Sequence, residues 1–119
     1  MAKVLIVDDS PVNRRLLKTM LEEEGHEVVG EAANGKEGYD ELVNKDPDVV
    51  TLDVSMPEMD GIEALKLMKS HNPAVKVIIL SADSNKKSEA ADHGADEYVT
   101  KPYHKAEILD AMKRCVEGV

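Results

Sequence analysis

Two hydrophobic periods alternate along the whole chain. KVLIVD (3–8) is a short unbroken apolar run ending on a charge, the pattern of a strand buried on both faces. Ser10-Pro11 follows as an N-cap and first-turn pair, after which Val12, Leu16 and Met20 recur at helical spacing and Leu17 and Leu21 widen the stripe. Gly25 closes this helix. The couplet then repeats. EVVGEA (27–32) reads as a weaker strand, followed by a helix capped by Asn34 and carrying Tyr39, Leu42 and Val43. DVVTLD (48–53) is a second strong strand, and Asp60 with Glu63 forms a capping box for a helix lined by Ile62, Leu65 and Met68. VKVIILS (75–81) is a third strong strand; a poorly patterned helix over about 85–93 stops at Gly94. DEYVTK (96–101) is a short polar strand, and residues 104–117 form a last helix with Ile108, Leu109, Met112 and Val116.

Five strand–helix couplets in series predict an α/β fold, a doubly wound (βα)₅ parallel sheet with helices on both faces. The strands at 3–8, 48–53 and 75–80 are almost wholly apolar and belong at the centre; those at 27–32 and 96–100 carry polar residues and belong at the edges. Right-handed crossovers then give the strand order 2-1-3-4-5, reversing direction between the first and third strands. In sheets of this kind a ligand binds beyond the carboxyl ends of the strands at that reversal. The residues standing there are Asp8 and Asp9, Asp53, Ser81 and Lys101-Pro102. Each alone is an ordinary strand end or turn residue; together they bring three carboxylates, a hydroxyl and an ammonium to one edge.

Three carboxylates cannot share a small site without positive charge. Lys101 supplies one unit, and a divalent cation would supply two more. Oxygen ligands without His or Cys select a hard ion, Mg²⁺ rather than Zn²⁺, and Mg²⁺ favours phosphate oxygens. A phosphoryl group is therefore the natural partner, and an aspartate can be the nucleophile that receives it. Ser81 and Lys101 would hold the phosphoryl oxygens, where charge accumulates in a loose transition state.

Composition narrows the classes further. The 119 residues suit one domain, 1–119, and 24 acidic against 15 basic residues give a net charge of −9. That argues against a nucleic-acid partner, which would need a basic face. One cysteine, Cys115, excludes an internal disulfide, and four dispersed histidines have no metal-ligand spacing. No apolar run approaches the roughly 20 residues of a membrane helix. No signal peptide precedes the first strand, so the expectation is a monomeric cytoplasmic domain with no membrane partner. The methionines read as core filling, with Met56 and Met59 set apart in the loop after Asp53.

VLIVDDS, LDVSMPEMDG, ILSA and YVTKP, in this order and each at a strand end, strongly resemble the receiver domain of bacterial two-component response regulators, a flavodoxin-like fold. The match spans essentially the whole chain and is similar to single-domain chemotaxis-type regulators. The resemblance implies that Asp53 accepts a phosphoryl group from a phosphohistidine on a sensor histidine kinase or phosphotransfer protein. It implies Mg²⁺ held by Asp9 directly, Asp8 through water, Asp53 and the backbone carbonyl of Ser55, with Lys101 contacting the phosphoryl group before a cis bond to Pro102. Ser81 would turn toward the phosphoryl group and Tyr98 would follow inward, changing the face of the last two strands and helices, which a downstream protein target contacts directly. Ser55 and Asp83, two residues beyond Asp53 and Ser81, would flank the water that removes the phosphoryl group. Ser81 stands where threonine is more usual and Tyr103 where phenylalanine is frequent.

Other classes fit less well. A flavodoxin-like FMN binder needs a phosphate-cradling loop after the first strand, and DDSPVN would repel phosphate. A phosphohydrolase with an aspartyl-phosphate intermediate needs a second aspartate two residues after the nucleophile, where Ser55 stands. A constitutive scaffold has no need of all five site residues. The reading is thus a signalling module that catalyses only its own phosphorylation and dephosphorylation.

Overall fold

The computed structural model describes residues 2–54 and 61–117. Its elements are β1 (Lys3–Val7), α1 (Pro11–Glu23), β2 (Glu27–Ala32), α2 (Gly35–Lys45), β3 (Val49–Asp53), α3 (Gly61–His71), β4 (Lys76–Ser81), α4 (Lys87–Asp92), β5 (Glu97–Thr100) and α5 (Lys105–Glu117). Every strand pair is parallel and the order is β2-β1-β3-β4-β5, as the apolar runs predicted.

Alternation along each strand divides the core between two layers. Leu5, Val7, Val50, Leu52, Val77 and Ile79 point toward α2, α3 and α4, meeting Leu42, Leu65, Met68 and Ala90. Val4, Ile6, Val49, Ile78 and Leu80 point the other way, onto Leu17 and Leu21 of α1 and Ile108, Ala111, Met112 and Cys115 of α5. Burial pushes the Cys115 thiol up to about 11, so it stays protonated among these side chains.

The helix starts follow the local chemistry. Ser10 Oγ accepts from the Asn13 N–H at 3.2 Å, with Pro11 in the first turn. Asn34 Oδ1 accepts from the Glu37 N–H at 2.9 Å. Gly25 takes φ +86° just past α1, the left-handed position that favours glycine. The expected cap at Asp60, like Ser55, Met56 and Met59, lies outside the described residues.

Two expectations need correction. Val12 and Leu16 are not core: they are 67% and 60% exposed, and α1 buries Leu17 and Leu21 instead. The helix expected over 85–93 is a 3₁₀ turn at Ser84–Lys86 followed by the six-residue α4, with Ala90 as its one buried side chain.

Candidate functional site

The carboxyl edge of the sheet is built in steps from β1. The strand's hydrogen bonding continues one residue past Val7, where the Asp8 N–H donates to the Ala32 carbonyl at 2.9 Å. The Asp8 side chain then turns over the strand end, and its Oδ1 accepts from the Ser10 N–H at 2.8 Å. Ser10 in turn caps α1, so the same short turn fixes both carboxylate and helix. One turn into α1, Arg14 reaches back and donates from Nη1 to the Asp8 carbonyl at 2.6 Å, while its Nε pairs with Glu31 at 3.4 Å.

Asp8 is buried, and among the described residues its Oδ2 has no hydrogen-bond partner. Burial raises its pKa above the ordinary carboxylate value, opposed by the Ser10 N–H and Lys101 and assisted by Asp53 and Asp9. Asp9 beside it is exposed. Asp53, the last residue of β3, is buried and pairs through Oδ2 with Lys101 Nζ at 3.0 Å. Lys101 stands just past β5; its N–H donates to the Ser81 carbonyl at 2.7 Å, and its peptide bond to Pro102 is cis. One carboxylate oxygen from each of Asp8, Asp9 and Asp53 falls within a group no more than 4.8 Å apart. Among the described residues this is the group that could hold a metal ion.

The donor set fits Mg²⁺. Three hard oxygens lie close together, the Lys101 ammonium pairs with one of the three carboxylates, and among the described residues a buried oxygen, Asp8 Oδ2, has no partner of its own. Ser55, expected to add a carbonyl, lies outside the described residues.

Ser81 ends β4 and is buried, but its hydroxyl is engaged locally. It accepts from the Asp83 N–H at 3.0 Å. The Asp83 carboxylate caps the 3₁₀ turn, accepting from the Asn85 N–H at 2.8 Å. The Tyr98 hydroxyl donates to the Asp83 carbonyl. The strand-end hydroxyl and the β5 phenol thus meet at one residue of the connecting loop.

Three side chains at this edge escaped the sequence. Arg14 gives no signal, because only the register of α1 against the end of β1 brings it to Asp8. Tyr103 appears in the sequence only as an unusual residue after Pro102; here it packs on the α1/α5 core layer and lines a cleft of about 470 Å³ with Asn13, Leu16, Ala82, Lys101 and Pro102. Burial, then Asp8 and Asp53, push its phenol above the ordinary tyrosine value. Thr51, two residues before Asp53, is fully buried with its hydroxyl unpartnered among the described residues.

The profile of the response regulator receiver domain matches residues 4–113. The chain is 38% identical to the chemotaxis protein CheY of Thermotoga maritima over 114 residues, covering 94% of this chain and 95% of that protein. The response regulator TrrA of the same organism, solved in complex with Mg²⁺ and a beryllium fluoride, superposes with a TM-score of 0.88 at 36% identity, covering 97% of this chain and 99% of that one. The CheX–CheY–BeF₃–Mg complex of Borrelia burgdorferi gives a TM-score of 0.91 at 31% identity, covering 96% and 88%.

Proposed function

The chain belongs to the response regulator receiver domain family, and from that premise we propose that it is a Mg²⁺-dependent phosphorylation switch whose acceptor is Asp53. Residues 1–119 act as one receiver domain. The phosphodonor is a phosphohistidine on a sensor kinase or phosphotransfer protein. The family's chemotaxis members among the relatives support a place in a chemotaxis-type phosphorelay in the cytoplasm.

The observation that carries this reading is the buried Asp8 Oδ2, without a hydrogen-bond partner among the described residues, beside the Lys101–Asp53 pair and within a three-carboxylate group. An Asp53 oxygen attacks phosphorus while the phosphorus–nitrogen bond to the donor histidine breaks, and the electron pair leaves with the ring. Lys101, already 3.0 Å from the Asp53 carboxylate, stays beside the new phosphoryl oxygens as a point charge. Asp8 and Asp9 would hold Mg²⁺, which when bound neutralises charge shared by the carboxylates and the phosphoryl oxygens.

Ser81 supplies the switch. Its single O–H can donate to a phosphoryl oxygen, and turning to do so removes the acceptor that the Asp83 N–H now uses. The Asp83 loop must then move, and Tyr98, bonded to the carbonyl of the same residue, moves with it. The change reaches the face of α4, β5 and α5, where a downstream protein docks.

The test is labelling by phosphoramidate with Mg²⁺, read by intact mass. We expect one hydroxylamine-sensitive phosphoryl group on the wild-type chain, none after EDTA and none on Asp53→Asn. Labelling of Asp53→Asn at the wild-type rate would assign the acceptor elsewhere.

A further inference from the structure

An asparagine followed by glycine is a reactive pair. Its amide carbon Cγ is an electrophile, and glycine, having no side chain, leaves its backbone nitrogen unhindered to reach it. Of Asn13, Asn34, Asn44, Asn72 and Asn85, only Asn34 precedes a glycine. Asn34 stands in the turn between β2 and α2 as the cap of α2, with ψ 172°. Every polar group of its side chain is held. Its Oδ1 accepts from the Glu37 N–H at 2.9 Å, and its Nδ2 donates to Glu37 Oε2 at 2.9 Å. Glu37 Oε1 completes the box by accepting from the Ala33 N–H at 3.4 Å. The Asn34 carbonyl accepts from the Gly38 N–H at 2.9 Å, the first bond of the helix, and Gly35 is buried.

We infer that Asn34-Gly35 is a deamidation site gated by the first turn of α2: the capping box keeps it inert while the turn is closed, and each opening exposes it to one-way conversion. The step is a cyclisation. The Gly35 nitrogen, its proton lost to solvent base, bonds to Asn34 Cγ, and Nδ2 takes up a proton and leaves as ammonia. Water then opens the cyclic imide at either carbonyl, giving aspartate or isoaspartate at this position. Closing the ring turns the amide away from Glu37 and rotates the Asn34 Cα–C bond away from ψ 172°, which displaces its carbonyl from the Gly38 N–H. The folded turn opposes all three movements. The two products differ in what they do to the fold. An aspartate still caps the helix, although its carboxylate meets Glu37 where an N–H donor stood. An isoaspartate lengthens the backbone by one methylene between β2 and α2, and α2 has little room to shift. A Cβ on Gly38 would stand 2.8 Å from Val7 Cγ2, so this turn packs directly on β1. The same connection begins at Ala32, whose carbonyl accepts from the Asp8 N–H.

The experiment ages the full chain in mildly alkaline buffer, folded and in guanidinium chloride. The amide-to-acid mass gain is followed in the tryptic peptide that ends at Lys36. In denaturant this peptide should convert faster than the peptides carrying the other asparagines. In the folded chain its conversion should be slower by roughly ten-fold or more, since several hydrogen bonds must open together. Glu37→Ala removes two side-chain bonds of the box and should raise the folded rate roughly two- to ten-fold relative to the rate in denaturant. Asn34→Ser keeps a good cap and has no amide to lose, so its fold should persist and its peptide should show no mass gain. The aspartyl and isoaspartyl forms of the aged folded chain are then separated by chromatography. The isoaspartyl form should exchange the amides of residues 35–38 faster than the aspartyl form. Equal rates for folded and denatured wild-type chain, or a Glu37→Ala ratio equal to wild type, overturn the gate. Faster conversion at another asparagine in denaturant overturns the site itself.

Discussion

At Asp8, burial and charge work against each other. The carboxyl is out of water, one oxygen satisfied by the Ser10 N–H and the other by no group among the described residues, and burial raises its pKa. The folded state therefore binds this proton more tightly than the unfolded chain does. Between the unfolded value and the raised folded value, stability falls as pH rises; above the folded value the whole cost is present. Asp8→Asn should remove that slope and make the metal-free domain more stable at neutral pH, since its Oδ1 can still accept from Ser10. Saturating Mg²⁺ should flatten the same slope in the wild-type chain. Urea unfolding at a series of pH values, with and without Mg²⁺, measures both effects. A wild-type minus variant difference that does not change between pH 4 and pH 8 would remove Asp8 as its source.

At the scale of elements, what the sequence conveyed depended on whether an element's burial is set by its own residues. The central strands did so, because a run such as KVLIV can only lie between two layers. The three carboxylates and Ser81 could be placed for the same reason, standing where those runs end, whereas Lys101 follows the polar edge strand. Helix α1 was read less well. Val12, Leu16 and Met20 are a four-residue series, but at about 100° per residue they lie round the helix from Leu17 and Leu21. Only the register against the sheet decides which set is buried, and Leu16 ends up on the wall of the cleft. The segment after Ser81 lacks any stripe, and with Ala90 as its one buried residue it shortens to a 3₁₀ turn and a brief helix. Ser81 and Tyr98 tie the start of that segment to the sheet through three hydrogen bonds at Asp83. Tyr98→Phe removes one of them and should speed amide exchange over residues 83–92 roughly two- to ten-fold, leaving β1 and β3 unchanged in hydrogen-exchange mass spectrometry. An unchanged rate there would mean that Ser81 alone holds the loop. At the start of α3 the constraint is steric. A Cβ on Gly61 would stand 2.5 Å from the Cα of Val54, backbone that has nowhere to go. Gly61→Ala should cost about 1–3 kcal/mol, read as a lower urea midpoint at an unchanged slope.

Over the whole molecule, nine excess negative charges repel, and three of the carboxylates that make that field stand together at the sheet edge. Two kinds of cation can relieve it, and they differ in what they need. Screening by a monovalent salt acts on every exposed carboxylate and fades with the Debye length, so it requires no particular residue. A divalent ion held by Asp8, Asp9 and Asp53 would need all three at once and would bind the folded chain alone, because unfolding takes the three apart. Its stabilisation therefore follows mass action: about 2.7 kcal/mol when free ion is a hundred times the dissociation constant. For a chain of this size each kcal/mol moves the thermal midpoint by roughly 3–6 °C. Mg²⁺ should thus raise the midpoint well beyond NaCl of equal ionic strength, EDTA should reverse it, and the rise should grow with the logarithm of the ion concentration once the site is filled. Asp9 is exposed, so Asp9→Ala should keep the fold and its response to NaCl while losing the specific Mg²⁺ increment. Differential scanning calorimetry of the two chains in matched salts makes the separation. If Asp9→Ala retains the full Mg²⁺ increment, the ion acts on the general field of the protein and not at the three-carboxylate edge.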